Sequence, residues 1–170
     1  MAKLFLPIPA LTLGLNEAYT NSHLTSTIPA ASYLLTGYQL PDVPKESASF
    51  TADYSWSLLS SGWTAAVGGG YRYTGKQWLL PVETDSAAST PTIEAPSYSV
   101  IDLRASVRND HFTLRAFVRN LANRSAVVGA VSDGISQSHL IMTNPITGEN
   151  NVYETFLTPR TVGVAVDYKY

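Results

Sequence analysis

From Thr161 to Tyr170 the chain alternates without a slip. Val162, Val164, Val166, Tyr168 and Tyr170 fall on one side; Thr161, Gly163, Ala165, Asp167 and Lys169 fall on the other. Successive side chains of an extended strand point to opposite faces, so this period of two marks a strand with one apolar face. The same period recurs along the chain. Leu11, Leu13, Leu15 and Tyr19 share a face within Leu11–Tyr19, and Glu17 is its one charged member. Ala48, Phe50, Ala52, Tyr54, Trp56 and Leu58 alternate with Ser, Thr and Asp across Ser47–Leu58. Trp63, Ala65, Val67, Tyr71 and Tyr73 do so across Trp63–Lys76. "SVIDLRASVR" and "HFTLRAFVRN" supply two more strands, and no segment sustains a helical period. The expectation is an all-β chain, an antiparallel up-and-down meander of about six strands.

The connections alternate in length. "LSSG" and "RNDH" are tight, whereas 22–46, 77–96 and 121–159 are long and polar or rich in Pro, Ser and Thr. All tight turns therefore lie at one end of the sheet and all long loops at the other. Long loops are uncommon in compact domains. Outer-membrane β-barrels are built this way, with short periplasmic turns and long extracellular loops. The composition agrees. Charged residues make up 14% of the chain, against about 25% in soluble domains. The polar faces carry Ser, Thr, Gly, Asp and Arg, which suits a wet lumen where Arg and carboxylates pair. Trp56 and Trp63 flank one tight turn, as interfacial aromatics do. These features predict a segment of a transmembrane β-barrel.

Other classes are poorly supported. No run approaches the about 20 apolar residues of a membrane-spanning helix. The formal charge of −2 and the lack of a basic stripe argue against nucleic acid. There is no cysteine, so no disulfide framework or thiolate metal site exists. His23, His111 and His139 share no ligand spacing, and "SDGISQ" and "TNPITGENN" do not follow the Ca²⁺-loop pattern. "GGG" at 68–70 lacks the Lys and helix of a phosphate loop, and no nucleophile elbow occurs. No enzyme activity, metal or cofactor is expected. The opening "MAKLFLPIPALTLGL" only faintly imitates a secretory signal, since Pro7 and Pro9 interrupt it. Residues 1–10 are taken as a lead-in and 11–170 as barrel strands.

The segments "GLNEAYTNSHLTS", "LPDVPKESASFTADYSW", "GGGYRYTGK", "SYSVIDLRASVRNDHFTLRAFVRNLANR" and "PRTVGVAVDYKY", in this order and spacing, resemble the C-terminal part of TonB-dependent outer-membrane receptors. The "VPK" entry to a strand, the "FVRNLANR" exit and the terminal aromatic strand are its more specific pieces. The resemblance implies uptake of a ferric siderophore or similar nutrient across the outer membrane of a Gram-negative bacterium. It implies barrels of about 22 strands closed around a plug, with TonB contacted through a short N-terminal box. About six strands fall short of the eight of the smallest single-chain barrels, and neither plug nor box is recognisable here. The chain is therefore expected to be the tail of a receptor, unable to transport alone. Its partners would be outer-membrane lipid, the remainder of the barrel and plug, TonB, and the barrel-assembly machinery. A porin or adhesin-like barrel, or a soluble β-sandwich or lipocalin-like binder, fits the alternation as well.

The resemblance assigns roles to particular residues. Val162, Val164, Val166, Tyr168 and Tyr170 match the terminal-strand signal read by the assembly machinery. Asp53, Arg72, Asp102, Arg104, Arg115, Arg119 and Asp167 would form a polar lattice in the lumen. Arg72, Arg104, Arg108, Arg115 and Arg119 are also the cations an anionic chelate would meet, although such arginines more often stiffen a wall by pairing with neighbouring carboxylates. Tyr33, Tyr38, Trp78 and His139 are candidate ligand contacts in the outer loops.

Overall fold

The computed structural model describes residues 2–4, 10–26, 36, 37, 39–58, 62–79, 94–132 and 152–170. These hold β1 (Ala2–Leu4), β2 (Leu11–Tyr19), β3 (Glu46–Leu58), β4 (Trp63–Thr74), β5 (Gln77–Trp78), β6 (Glu94–Ala95), β7 (Tyr98–Arg108), β8 (Phe112–Arg119), β9 (Val127–Ser132), β10 (Val152–Phe156) and β11 (Thr161–Tyr168). Seven of them form one sheet in the order β1-β2-β3-β4-β7-β8-β11, with every pairing antiparallel. Six are the strands expected from alternation. The seventh, β1, falls in the lead-in and pairs Leu4 with Leu13.

The outer loops hold more order than their composition announces. β5 pairs with β6, and β9 with β10, as two small hairpins beyond the main sheet. Both sit in stretches without clean alternation. β5 and β6 are two residues each, too short to register as a period. The pairing of β9 with β10 slips between Thr155 and Phe156.

Register turns the one-dimensional alternation into two chemically distinct surfaces. One row runs Leu13, Ala52, Gly69, Leu103, Val118, Val162 across β2, β3, β4, β7, β8 and β11. The adjacent row, on the opposite face, runs Thr12, Asp53, Gly68, Arg104, Phe117, Gly163. A slip of one residue anywhere would exchange the faces. Glu17 and Glu46 are the carboxylates on the apolar face of these strands, and both lie at the long-loop end.

The apolar face has no layer packed on it among the described residues. Phe50 is 44%, Trp56 37%, Tyr71 41% and Val164 69% exposed. A soluble sandwich would bury that face. The buried apolar residues instead gather largely at the long-loop end: Leu79 and Ala95 are 2% exposed and Val100 5%. On β4, Trp63 and Tyr73 cap the two ends of the apolar stripe, ten residues apart. At about 3.3 Å per residue and a tilt of about 40°, they bracket a band about 25 Å tall, the height of an outer-membrane barrel's apolar belt.

Both tight turns have a local cause. In the β7–β8 turn the Asn109 side chain accepts the N–H groups of His111 and Phe112 at 3.0 and 2.6 Å. In the β3–β4 turn Gly62 takes φ of 72°, a value that strains residues carrying a Cβ.

At the opposite end, Asn120 holds the exit of β8. It is 3% exposed with φ of 50°, in the left-handed region that Asn tolerates better than most residues. Its side-chain amide donates to the carbonyls of Arg124 and Thr158, at 2.9 and 3.0 Å, and its Oδ1 accepts the Arg124 N–H at 2.8 Å. Asn123, also at φ of 50°, accepts the Arg160 N–H at 2.9 Å. Two asparagines thus clip the end of β8 to the approach to β11. Asn120→Ala removes three side-chain hydrogen bonds from a buried site and places an alanine at positive φ. A loss of about 3 kcal/mol is expected, read as a lowered urea midpoint of the detergent-solubilised folded protein. Asn120→Gly should recover only the backbone part.

Candidate functional site

The polar face is the first candidate, because alternation and register bring six of the seven lattice residues together as pairs. Asp53 Oδ1 accepts Arg104 Nε at 3.0 Å and Nη2 at 2.6 Å, while Oδ2 accepts Nη2 at 2.5 Å. These residues belong to β3 and β7, so the pair spans β4. Gly68 lies directly between them in register. A Cβ there would collide with Asp53 Oδ1 and come within 3.1 Å of Arg104 Nε. Glycine therefore lets the bridge lie close over the strand, and a Cβ there would push it aside.

Two diagonal pairs extend the pattern. Arg72 Nη2 lies 3.4 Å from Asp102 Oδ2, and Asp102 Oδ1 also accepts the Asn120 N–H at 2.9 Å. Arg115 pairs with Asp167. Arg119 differs: its guanidinium lies over the Phe117 ring, 5.1 Å from the centroid, and no carboxylate pairs with it among the described residues. The paired side chains are 36–64% exposed, so water screens them and each pair contributes about 0–1 kcal/mol. Their chief effect is to cancel charge along a water-accessible wall.

The long-loop rim is the second candidate. Lys45, Glu46, Tyr73, Gly75, Lys76 and Glu94 line an open cleft of about 440 Å³, with Lys76 Nζ 3.0 Å from Glu94 Oε1. Trp78 is half-buried, and its carbonyl accepts the Asp42 N–H at 2.7 Å, tying the β2–β3 loop to β5. The other suggested loop contacts, Tyr33, Tyr38 and His139, lie outside the described residues. Among the described residues no group of three or more His, Asp or Glu is arranged to hold a metal.

The third candidate is β11. It pairs with β8 alone among the described strands, so its outer edge presents unpaired backbone groups. Val162, Val164 and Val166 are 67–69% exposed and Tyr170 fully so. Tyr168 packs between Phe112 and Tyr170, with ring centroids 4.9 and 5.2 Å away. Residue types flagged the valines, tyrosines and charged pairs in advance. They did not single out Asn120 or the Lys76–Glu94 pair, because both depend on how loops return to the sheet.

Comparison with known proteins joins these surfaces to one family. Solved structures that share the fold include two receptors. One is BauA, the ferric preacinetobactin receptor of Acinetobacter baumannii, at a TM-score of 0.65 and 21% identity over 95% of this chain and 20% of that one. The other is Fiu, the ferric-catecholate import receptor of E. coli K12 in its closed form, at 0.56 and 20% over 95% and 19%. This chain thus spans about a fifth of the length of either receptor. No curated protein sequence matches it. The family described as TonB dependent receptor-like, beta-barrel, matches residues 4–121, more than two thirds of the chain. An antiparallel meander with one apolar and one ion-paired face is the wall such a barrel needs, and this chain belongs to the TonB-dependent receptor β-barrel family.

Proposed function

We propose that this chain forms part of the wall of an outer-membrane receptor that takes up a ferric siderophore or a similar scarce nutrient in a Gram-negative bacterium. The observation that carries it is the two-faced sheet: an uncovered apolar face across six registered strands, backed by a face of Arg–Asp pairs. The apolar side meets lipid and the paired side meets a watery lumen. The seven strands of the sheet among the described residues leave two open edges, which hydrocarbon does not tolerate, so this wall works when joined to the rest of a barrel. Plug and TonB contacts belong to the complete receptor. The iron-chelate receptors that share the fold support the choice of nutrient class.

Within that wall we assign three roles. Asp53, Arg72, Asp102, Arg104, Arg115, Arg119 and Asp167 line the lumen, and Trp78 with Tyr33, Tyr38 and His139 belongs to loops that meet the ligand. Val162, Val164, Val166, Tyr168 and Tyr170 present the strand that the barrel-assembly machinery engages. The free edge and the aromatic cluster of Phe112, Tyr168 and Tyr170 support the last role.

Two measurements on the intact receptor test the reading. Leu103 and Thr51 lie at similar depth on opposite faces. Leu103→Lys should cost about 2–4 kcal/mol of folding stability in bilayers, while Thr51→Lys, beside Asp53 on the wet side, should cost little. Equal costs would falsify the assignment of lipid and lumen faces. For the assembly strand, Tyr168→Ser with Tyr170→Ser should lower the amount of folded receptor in the outer membrane without changing its synthesis. Unchanged surface levels would remove that role.

A further inference from the structure

The valines of β11 carry too little information to place the strand, and on the apolar face only Tyr168, packed on Phe112 at its end, marks the register. Val162, Val164 and Val166 stand opposite Val118, Ala116 and Leu114. Shift β11 by two residues and every apolar side chain keeps its face. In one direction Val164 meets Val118 and Val166 meets Ala116; in the other Val162 meets Ala116 and Val164 meets Leu114. Lipid contacts the valines almost alike in these arrangements, and alternation of faces guards only against slips of one residue. The ion pair opposes only the second shift, which carries Asp167 opposite His111 and away from Arg115. Asp167 now reaches Arg115 diagonally, and the first shift brings the two directly opposite.

Phe117 and Gly163 distinguish both shifts from the native register as long as the ring keeps its place. They are opposite each other on the polar face. The Phe117 ring lies across the glycine so closely that a Cβ on residue 163 would meet ring carbons, with Cε1 at 2.7 Å and Cε2 at 3.1 Å. The Arg119 guanidinium sits over the same ring. The first shift would put Ala165 opposite Phe117, and the second Thr161. Both carry a Cβ where the ring lies, so either shift would force the ring off the strand and away from Arg119. The asparagine clip adds a second stop, because Asn120 grips the Thr158 carbonyl and Asn123 the Arg160 N–H. Either shift would break both bonds.

We propose that Gly163 beneath Phe117, with Asn120 and Asn123 holding the approach, is the register lock of β11. These residues decide which row of the free edge faces the next strand. The lock goes beyond the receptor's choice of nutrient and holds whatever the barrel carries.

Cysteine cross-linking in the full-length receptor tests it, and this chain contributes no cysteine of its own. Lys169 donates to the His111 carbonyl, so alternate pairs starting from Val164–Ala116 are the non-hydrogen-bonded ones, with side chains closest. A116C with V164C should oxidise to a disulfide, whereas A116C with V162C or V166C should not. Adding Gly163→Leu should lower the native cross-link about tenfold and raise a shifted one, or abolish insertion. In either case Phe117→Ala on top of Gly163→Leu should restore the native cross-link. Native yield unchanged by Gly163→Leu, or no recovery with Phe117→Ala, would overturn the lock.

Discussion

A strand in hydrocarbon must have its backbone hydrogen bonds made by other strands, because lipid supplies neither donor nor acceptor. That constraint orders the rest of this molecule. It requires long antiparallel pairing, and β3 and β4 pair along twelve consecutive positions from Ser47–Thr74 to Leu58–Trp63. It also explains why no second layer covers the sheet among the described residues. A sandwich buries its apolar side chains against a second sheet, whereas here Phe50, Tyr71, Leu114 and the β11 valines remain open. Burial collects at the loop end, around Leu79, Ala95, Gln77 and Asn120, where chain crosses over chain.

The main strands could be read from residue order because each face has one solvent. Lipid on one side and water on the other impose a period of two that no helix or loop mimics over ten residues. Glu17 looked discordant within that pattern. Its place is explained by depth, since it lies with Glu46 and Tyr19 at the loop end of β2 and β3, near the polar boundary of the apolar band. Where one face lacks a uniform solvent, the signal fades. β1 is three residues long, and β5, β6, β9 and β10 are short or irregular and pair outside the main sheet.

The polar face was legible in kind but not in connection. Arginines and aspartates on the polar face announce pairs, yet residue order suggests neighbouring strands as partners. Arg104 instead reaches over a whole strand to Asp53, and Gly68 leaves that close route open. Asn120 was less visible still. Within "RNLANR" it reads as a turn residue, whereas its buried amide joins the end of β8 to residues near the start of β11, 38 positions along the chain.

These two observations share a cause. A lipid-facing surface is under pressure to be uniformly apolar, and uniformity erases the distinctions that align one strand with the next. Valine opposite alanine, leucine or valine satisfies lipid equally well. The distinctions must then be carried on the wet face and at the rim, where residues differ in size, charge and backbone freedom. Gly68 and Gly163 occupy the same row of that face, one beneath an ion pair and the other beneath a ring. In a soluble sheet, a glycine within a strand weakens packing. In this wall it makes a slot that admits one partner in one register, and the alignment information that lipid cannot supply resides there.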